Sequence, residues 1–190
     1  VVMEDSSETS VRVKSSDASV SLTNVNIDGA ITGDARFGLT IDGESVLADV
    51  SNAEISNLAT ANTKTKNIIG NIVNDGTFEV NGTVVGNIVN NKIMTVNNDI
   101  TGDIKNNGED SVLTVTGKVT SDSFMNKGTF NINGVVDALS ITGFGTTVID
   151  TTLALLKDNM SIQGVLDLND NELTIVPEAT ATLTVGTLTD

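Results

Sequence analysis

Three groups of acidic side chains stand close enough in the chain to suggest chemistry. They are Glu109 with Asp110, Asp99 with Asp103, and Asp167 with Asp170 and Glu172. Two carboxyl groups that flank a glycosidic bond can hydrolyse it, one as the acid and the other as base or nucleophile. However, the chain contains no tryptophan or tyrosine to stack on sugar rings. Solvated turns explain these carboxylates better, so we predict no catalytic residues and no enzyme.

The third acidic group also suggests a metal site. The stretch "DLNDNE" at 167 to 172 places carboxylates and amides in one turn, and such hard oxygen ligands suit calcium. Neither the EF-hand loop nor the glycine-rich nonapeptide of calcium-binding β-rolls is present. Calcium at Asp167, Asp170 and Glu172 therefore stays open beside a solvated anionic turn, and no other cofactor is expected.

The amino-acid composition excludes several classes of binding partner and of functional site. The chain has 10 basic against 25 acidic residues and a net charge of −15, which disfavours nucleic acid and anionic membrane surfaces. It has no cysteine and no histidine, which excludes disulfides, thiolate chemistry and histidine-based zinc or triad sites. No run of about 18 apolar residues occurs, and "VVMEDSSETS" lacks the layout of a signal peptide. We expect no membrane insertion.

A repeat in the sequence indicates which secondary structure elements position these groups. "GNIVN" stands at 70 to 74 and at 86 to 90, and "GDIKN" follows at 102 to 106. The chain of 190 residues has 17 glycines and one proline, and its many Val, Ile, Thr, Asn and Asp residues favour strands joined by tight turns. A repeat of this length indicates a solenoid, in which equivalent residues stack on one another.

Three columns of apolar residues recur with the repeat, and we predict that they form the core. Their members are Phe78, Val80, Val84, Met94, Val96, Ile100, Leu113, Val115, Val119, Phe130, Ile132 and Val136. Upstream we extend the columns to Val25, Ile27 and Ile31, and then to Leu39, Ile41 and Val46. Downstream the middle column is expected to continue through Ile149, Leu168 and Val185.

The "NG" at 81 to 82 allows two readings. Asn-Gly between alternating apolar residues is a strong hairpin signal, but a hairpin should often have an apolar residue directly after the turn. Three of the five residues there are polar, whereas the next position is always apolar: Ile31, Val84, Ile100, Val119 and Val136. The inward face thus continues past the turn in even steps, which favours a corner around a tube.

We therefore predict an all-β, single-domain parallel β-helix of about ten coils of 16 to 19 residues. Residues 1–19 are expected to form an N-terminal strand or cap, with assembly as one role, and residues 20–190 the β-helix, with a terminal strand or cap near 177–190. Asn74, Asn90, Asn106 and Asn126 are expected to form a hydrogen-bonded amide ladder at a corner.

Some segments leave alternatives open. Residues 56–67 are too polar to place, and residues 151–160 fit either a short helix or a distorted coil. The stretch from Leu166 to Pro177 matches one leucine-rich repeat, although that fold needs several consecutive units. Two β-sandwich domains would leave the repeated columns unexplained.

The stretches "GVLDLNDNELTIV" at 164 to 176 and "GTFEVNGTVVGNIVN" at 76 to 90 resemble the coils of autotransporter passenger domains and related bacterial surface adhesins. The resemblance lies in the general residue pattern of about residues 20 to 188. It implies a right-handed parallel β-helix that is exported to the cell surface as a stiff stalk or fibre, with no intrinsic reaction.

The predicted function is an extracellular structural subunit: a rod that self-assembles end to end into a filament or surface layer, or an adhesin stalk. Open strand edges at both ends would recruit further copies into a homopolymer, and a glycan or another cell-surface molecule is an alternative partner. A polysaccharide-binding or polysaccharide-degrading β-helix is the competing class. An ice-binding solenoid is third, because the outward column read as Asn26, Thr40, Glu79, Thr95, Thr114 and Asn131 is mixed.

Overall fold

The fold was obtained as a computed structural model, which describes the backbone of residues 1–150, 154–156, 160–175 and 183–190. Side chains are described for the same residues except 154–156 and 173–175. All regular structure in these ranges is β-strand, and they contain no helix. The all-β prediction is confirmed.

The strands are short, and most have two to five residues. In chain order they are β1 (Val2–Glu4), β2 (Ser7–Glu8), β3 (Val11–Val13), β4 (Ser19–Thr23), β5 (Asn26–Ile27), β6 (Ile31–Asp42), β7 (Glu44–Leu47), β8 (Val50–Asn57), β9 (Asn62–Thr65), β10 (Ile68–Asn74), β11 (Thr77–Val80), β12 (Val84–Val85), β13 (Ile88–Asn90), β14 (Ile93–Val96), β15 (Ile100–Thr101), β16 (Ile104–Asn106), β17 (Val112–Val115), β18 (Val119–Thr120), β19 (Phe124–Asn126), β20 (Thr129–Ile132), β21 (Val135–Asp137), β22 (Ser140–Thr142), β23 (Thr146–Ile149), β24 (Ala154–Leu156), β25 (Ser161–Asp167), β26 (Leu173–Ile175) and β27 (Thr184–Thr189).

Parallel pairing between successive coils arranges the strands in three faces. Face A contains β1, β4, β13, β16, β19 and β22. Face B contains β2, β5, β7, β9, β11, β14, β17, β20 and β23. Face C contains β3, β12, β15, β18, β21, β24 and β26.

Five longer strands bend from one face to the next. β6, β8 and β10 begin on face C and end on face A, whereas β25 and β27 begin on face A and end on face B. The single domain is thus a parallel β-solenoid, as predicted, with about nine turns where about ten coils were expected. At about 4.8 Å per turn, the rod is roughly 45 Å long.

The three predicted core columns are confirmed over the regular coils. Phe78 pairs with Met94, Met94 with Leu113, and Leu113 with Phe130. The other two columns run in the same register, from Val80 to Ile132 on face B and from Val84 to Val136 on face C. All twelve side chains are buried, because each coil covers the apolar residues of its neighbours.

The interior is closed by large side chains from different faces. Phe124 on face A and Phe130 on face B belong to the same coil, and their ring centroids lie 4.7 Å apart in a tilted arrangement. Both rings are 2% exposed or less. Tilted aromatic pairs are favourable beyond the apolar area that they bury, so this contact ties two faces of one coil together.

The Asn-Gly stretches are corners and not hairpins. β11 pairs with β9 and β14 in the neighbouring coils, and β12 pairs with β10 and β15. The backbone N–H of Gly82 donates to Lys66 O of the preceding coil at 3.1 Å. The corner therefore adds to the parallel ladder, and the inward face continues from Val80 to Val84 as expected.

The column assignment was wrong for the coil that contains Leu39, Ile41 and Val46. Leu39 and Ile41 lie on face A, where they pair with Val20 and Leu22, and Val46 points outward with 51% exposure. On face B, the buried residues of that coil are Ser45 and Leu47 instead. Downstream, Ile149 follows Ile132 as predicted, but Val185 is in another column because it pairs with Ile162 on face A.

The two ambiguous segments contribute strands. Residues 56–67 include the end of β8 and all of β9, in which Thr63 and Thr65 are buried. Of residues 151–160, Ala154–Leu156 forms a strand paired with β21 and β26, and residues 151–153 and 157–159 lie outside the described residues. In the expected terminal strand or cap near 177–190, residues 177–182 also lie outside them, and the rest contains β27. At the other end, residues 2–13 form a first coil from β1 to β3.

The asparagine ladder is present inside the tube. Asn74 Nδ2 donates to Asn90 Oδ1 at 2.8 Å, Asn90 Nδ2 to Asn106 Oδ1 at 2.8 Å, and Asn106 Nδ2 to Asn126 Oδ1 at 2.8 Å. Asn57, which the sequence analysis missed, adds a rung by donating to Asn74 at 2.7 Å. Each amide also donates to a corner carbonyl of the next coil, such as Val112 O, and so satisfies a backbone group that the bend exposes.

Candidate functional site

The predicted acidic groups do not converge into a catalytic centre. Glu109 and Asp110 lie side by side in the exposed loop between β16 and β17. Asp99 and Asp103 stand at opposite ends of β15, one at the corner from face B to face C and the other at the corner from face C to face A. The winding of the chain thus separates the pair that sequence spacing had brought together.

Asp99 and Asp103 are engaged in the corners they occupy. Asp99 Oδ1 accepts a hydrogen bond from the backbone N–H of Lys118 in the next coil at 2.7 Å. The backbone N–H of Asp103 donates to Asn87 Oδ1 at 2.9 Å. Both contacts link successive coils, so each residue has a structural role at its corner.

Asp167, Asp170 and Glu172 lie at a turn that follows β25. Asp167 Oδ1 accepts a hydrogen bond from the backbone N–H of Asn169 at 3.1 Å, and Asn169 and Asp170 have φ angles of 50° and 59°. Asn and Asp tolerate this left-handed conformation. No group of three or more acidic side chains is arranged to hold a metal ion within the described ranges, and calcium here stays a prediction.

One carboxyl group has a clearly altered proton affinity. A hydrogen bond from the Thr60 hydroxyl, and a second from the backbone N–H of Gly43 at 2.7 Å, lower the pKa of Asp42 below its ordinary value of 3.8. Both donors stabilise the ionised form. Because Asp42 is half-buried at a corner and its pKa is lowered, this arrangement stabilises a turn and does not prepare an acid for catalysis.

Charged side chains elsewhere form ion pairs between neighbouring coils. Arg12 contacts Asp34 at 2.9 Å, and Arg36 contacts Glu54 at 2.9 Å. Lys64 contacts Glu79 at 3.2 Å, and Lys118 contacts Asp137 at 2.8 Å. These exposed pairs contribute little stability, and the surface stays strongly anionic because acidic residues outnumber basic ones by 25 to 10.

A groove runs along the rod at the corner between faces C and A, and we call it the axial groove. It consists of three adjoining cavities of about 370, 300 and 190 Å³. The first and second share Asn87, Thr101 and Gly102, and the second and third share Thr120 and Asp122. Because the shared residues come from successive coils, the groove is parallel to the rod axis.

Glycine forms the floor of the axial groove. Gly86 and Gly102 have φ angles of 151° and 148°, which residues with a side chain rarely adopt. A Cβ atom on Gly86 would lie 2.1 Å from Gly70 O, and one on Gly102 would lie 2.2 Å from Gly86 O. Gly86 and Gly102 therefore leave no room for a side chain at this corner of their coils, and the bare backbone leaves an open channel outside the tube.

The two walls of the axial groove differ in chemistry. On the face C side, Ile69 and Val85 are 55% and 48% exposed, and Thr101 and Thr120 continue their column. On the face A side, Asn71 and Asn87 each accept a hydrogen bond at Oδ1 from the backbone N–H of the residue one coil later, at 2.9 Å. The groove thus combines aliphatic surface with amide, hydroxyl and carboxylate groups.

A second cavity of about 640 Å³ lies near the N-terminal coils, where its lining includes Asp5, Asn24, Glu44 and Lys64. Its polar groups bind one another: Asn24 Nδ2 donates to Asp5 Oδ1 at 3.1 Å, and the backbone N–H of Glu44 donates to Asn24 Oδ1 at 3.0 Å. These contacts leave the axial groove as the better candidate for binding.

The outward columns bear on the ice-binding alternative. Asn26, Glu79, Thr95, Thr114 and Asn131 do share one column on face B, through Val46 and Lys64. Thr40 was wrongly included, because it lies on face A beside Ser21 and Ser56. Charged residues interrupt the N-terminal half of the column, and it is not a continuous threonine file.

Two further findings concern the class of protein. Among the described residues no helix is long and apolar enough to cross a membrane. Comparison with known proteins found no matching family model, no matching curated protein and no matching solved structure. The resemblance to bacterial surface adhesins therefore stays a prediction.

Proposed function

We propose that the chain is an extracellular structural subunit, a rod without a reaction of its own that joins further copies end to end. The observation that carries this proposal is the pairing of the terminal strands. Among the described strands, β1 pairs with β4 alone and β27 pairs with β25 alone. Each terminal strand therefore has one edge along which a further strand could be added.

The two end coils are suited to one another. The described strands of successive coils pair in parallel, so the upper edge of one rod and the lower edge of another continue the same ladder when the rods point in one direction. Apolar residues are exposed at both ends, with Val2 at 68% and Leu188 at 60%. A head-to-tail contact of this kind does not close on itself and produces a filament.

The hydrogen-bonding direction of β27 allows a specific test. Alternate residues of a parallel strand bond to opposite neighbours. Thr189 O accepts from the backbone N–H of Leu168, the residue directly after β25, at 3.0 Å, so the N–H of the adjacent Leu188 faces the open edge. Leu188→Pro removes a donor that only an added strand would use.

The experiment is negative-stain electron microscopy and light scattering of the purified chain and its Leu188→Pro variant. We expect filaments from the unaltered chain and single short rods from the variant, with unchanged circular dichroism. Phe144→Ala is the control, because Phe144 is 88% exposed on the side of the rod and its loss should leave filaments intact. Discrete rods from the unaltered chain, or filaments from Leu188→Pro, would contradict end-to-end joining.

A further inference from the structure

We propose that the axial groove binds a linear, non-anionic glycan along the rod axis. This site is independent of the end-to-end contact, because it lies on the side of the rod. The shape of the groove is the first argument. Its cavities adjoin one another across the coils from Ile69 to Leu139, so it accommodates an extended chain better than a compact ligand.

The spacing of the groups in the groove is the second argument. Ile69, Val85, Thr101 and Thr120 occupy one outward column, and Asn71, Asn87 and Asp103 follow one another at the same step on the other wall. Neighbouring coils lie about 4.8 Å apart, which is close to the length of one pyranose unit. Each successive sugar would therefore meet a similar pair of walls.

The available contacts are the third argument. Asn87 Nδ2, the hydroxyls of Thr101 and Thr120, and the carboxylates of Asp103 and Asp122 have no hydrogen-bond partner among the described residues. Polar groups of this kind suit sugar hydroxyls, and the exposed side chains of Ile69 and Val85 suit sugar C–H groups. A peptide strand is disfavoured, because the floor donors Gly86 N and Gly102 N already bond to Thr101 O and Thr120 O.

The charge of the side chains that line the axial groove determines which class of glycan can bind. Asp103 and Asp122 lie in the middle cavity of the axial groove, and none of the described residues that line this cavity is basic. Arg36, at the far end of the first cavity, is paired with Glu54 at 2.9 Å. The groove therefore repels uronate and sulfate groups, whereas neutral sugars and protonated amino sugars meet no repulsion.

The test uses three hexasaccharides as probes in isothermal titration calorimetry: a neutral β-1,4-glucan, its amino-sugar counterpart and a polygalacturonate. We expect binding of the first two and not of the third. Thr101→Arg fills the middle of the groove and should weaken binding at least about tenfold. Thr95→Arg is the matched control, since Thr95 is an outward strand residue on face B and its replacement should leave binding unchanged.

A further variant tests the basis of the selectivity. Asp103→Asn removes one unpaired carboxylate and should improve binding of polygalacturonate relative to the neutral probe. The proposal is overturned if none of the probes binds, if polygalacturonate binds best, or if Thr101→Arg and Thr95→Arg have equal effects. Circular dichroism of each variant establishes that the coils are retained.

Discussion

Single polar side chains inside the tube have very different surroundings, and these decide their effect on stability. Thr63 and Thr147 both occupy the column on face B that Phe78 and Phe130 fill elsewhere, and both are 0% exposed. The Thr63 hydroxyl donates to Asn57 Oδ1 at 2.6 Å, whereas Thr147 Oγ1 has no hydrogen-bond partner in the part of the chain that the structure describes. A buried hydroxyl stabilises only where its hydrogen bond is formed.

This contrast predicts opposite effects for the same substitution. Thr147→Val removes an unsatisfied hydroxyl at almost constant volume and should raise the free energy of unfolding by about 1 kcal/mol. Thr63→Val leaves Asn57 Oδ1 without its donor and should lower it by about 1 to 2 kcal/mol. Urea unfolding midpoints of the two variants measure both changes. Destabilisation of similar size in both would show that the hydroxyl of Thr147 has a partner.

At the scale of the strands, the corners are stabilised by ladders that link one coil to the next. The inner ladder from Asn57 to Asn126 runs through β8, β10, β13, β16 and β19. An outer contact, from Asn97 Nδ2 to Asn81 Oδ1 at 3.0 Å, joins the corners of two of the same coils in solvent. The inner amides are buried, so their loss leaves partners that water cannot reach.

We therefore expect Asn90→Leu to lower the free energy of unfolding by about 2 to 4 kcal/mol, since Asn74 Nδ2, Asn106 Oδ1 and Val112 O all lose a partner. The matched variant Asn97→Leu breaks one exposed contact and should change it by less than about 0.5 kcal/mol. Urea unfolding followed by circular dichroism compares the two. Equal effects would mean that the inner ladder adds nothing beyond an exposed hydrogen bond.

The sequence predicted the elements well where coils have equal length. Between residues 68 and 136 the apolar columns and the corner asparagines were assigned correctly, because the outward and inward positions repeat without interruption. The coil around Leu39 to Val46 was misassigned for a physical reason. Gly43, with a φ angle of 60°, turns the chain from face A to face B within two residues, so residues of two different faces look like one alternating strand in the sequence. The core position on face B is occupied by the polar Ser45, which the search for apolar residues passes over.

The axial groove could not be predicted, although the glycines that form its floor could be recognised in the sequence. The steps "GN" at 70 and 86 and "GD" at 102 belong to the recognised repeat, but a groove depends on how far two faces diverge outside the tube. Outward polar residues are common on every strand, and sequence alone does not distinguish those that line a channel. Asp99 and Asp103, which are close in the sequence, lie at separate corners, so closeness along the chain does not by itself bring two carboxylates together.

At the scale of the whole molecule, each coil contacts only its neighbours, as in other solenoids. The coils near the middle are also interchangeable in register: Ile72 pairs with Ile88, and Ile88 with Ile104. Gly70, Gly86 and Gly102 occupy the same corner in these coils. The rod is therefore modular along its axis, and the number of coils sets its length.

Removal of residues 86–101 tests this modularity. The deletion joins Val85 to Gly102 and places Ile104 over Ile72 and Asn106 over Asn74, so the core columns and the inner ladder are restored. We expect retained circular dichroism and a maximum dimension in X-ray scattering that is shorter by about 4.8 Å.

The matched control deletes residues 86–93, half of that coil, and puts every later strand on the wrong face. We expect this shorter deletion to abolish the folded signal. A full-coil deletion that unfolds the chain as thoroughly as the half-coil deletion would refute the modular description.

The direction of the backbone hydrogen bonds has a mechanical consequence. These bonds lie parallel to the long axis, and within the described ranges β1 and β27 are each paired along a single edge. A pulling force applied to the two chain ends would therefore peel off one strand at a time, and resistance at any moment would come from a few bonds. We expect such a molecule to lengthen gradually under tension and to rewind when the load is released.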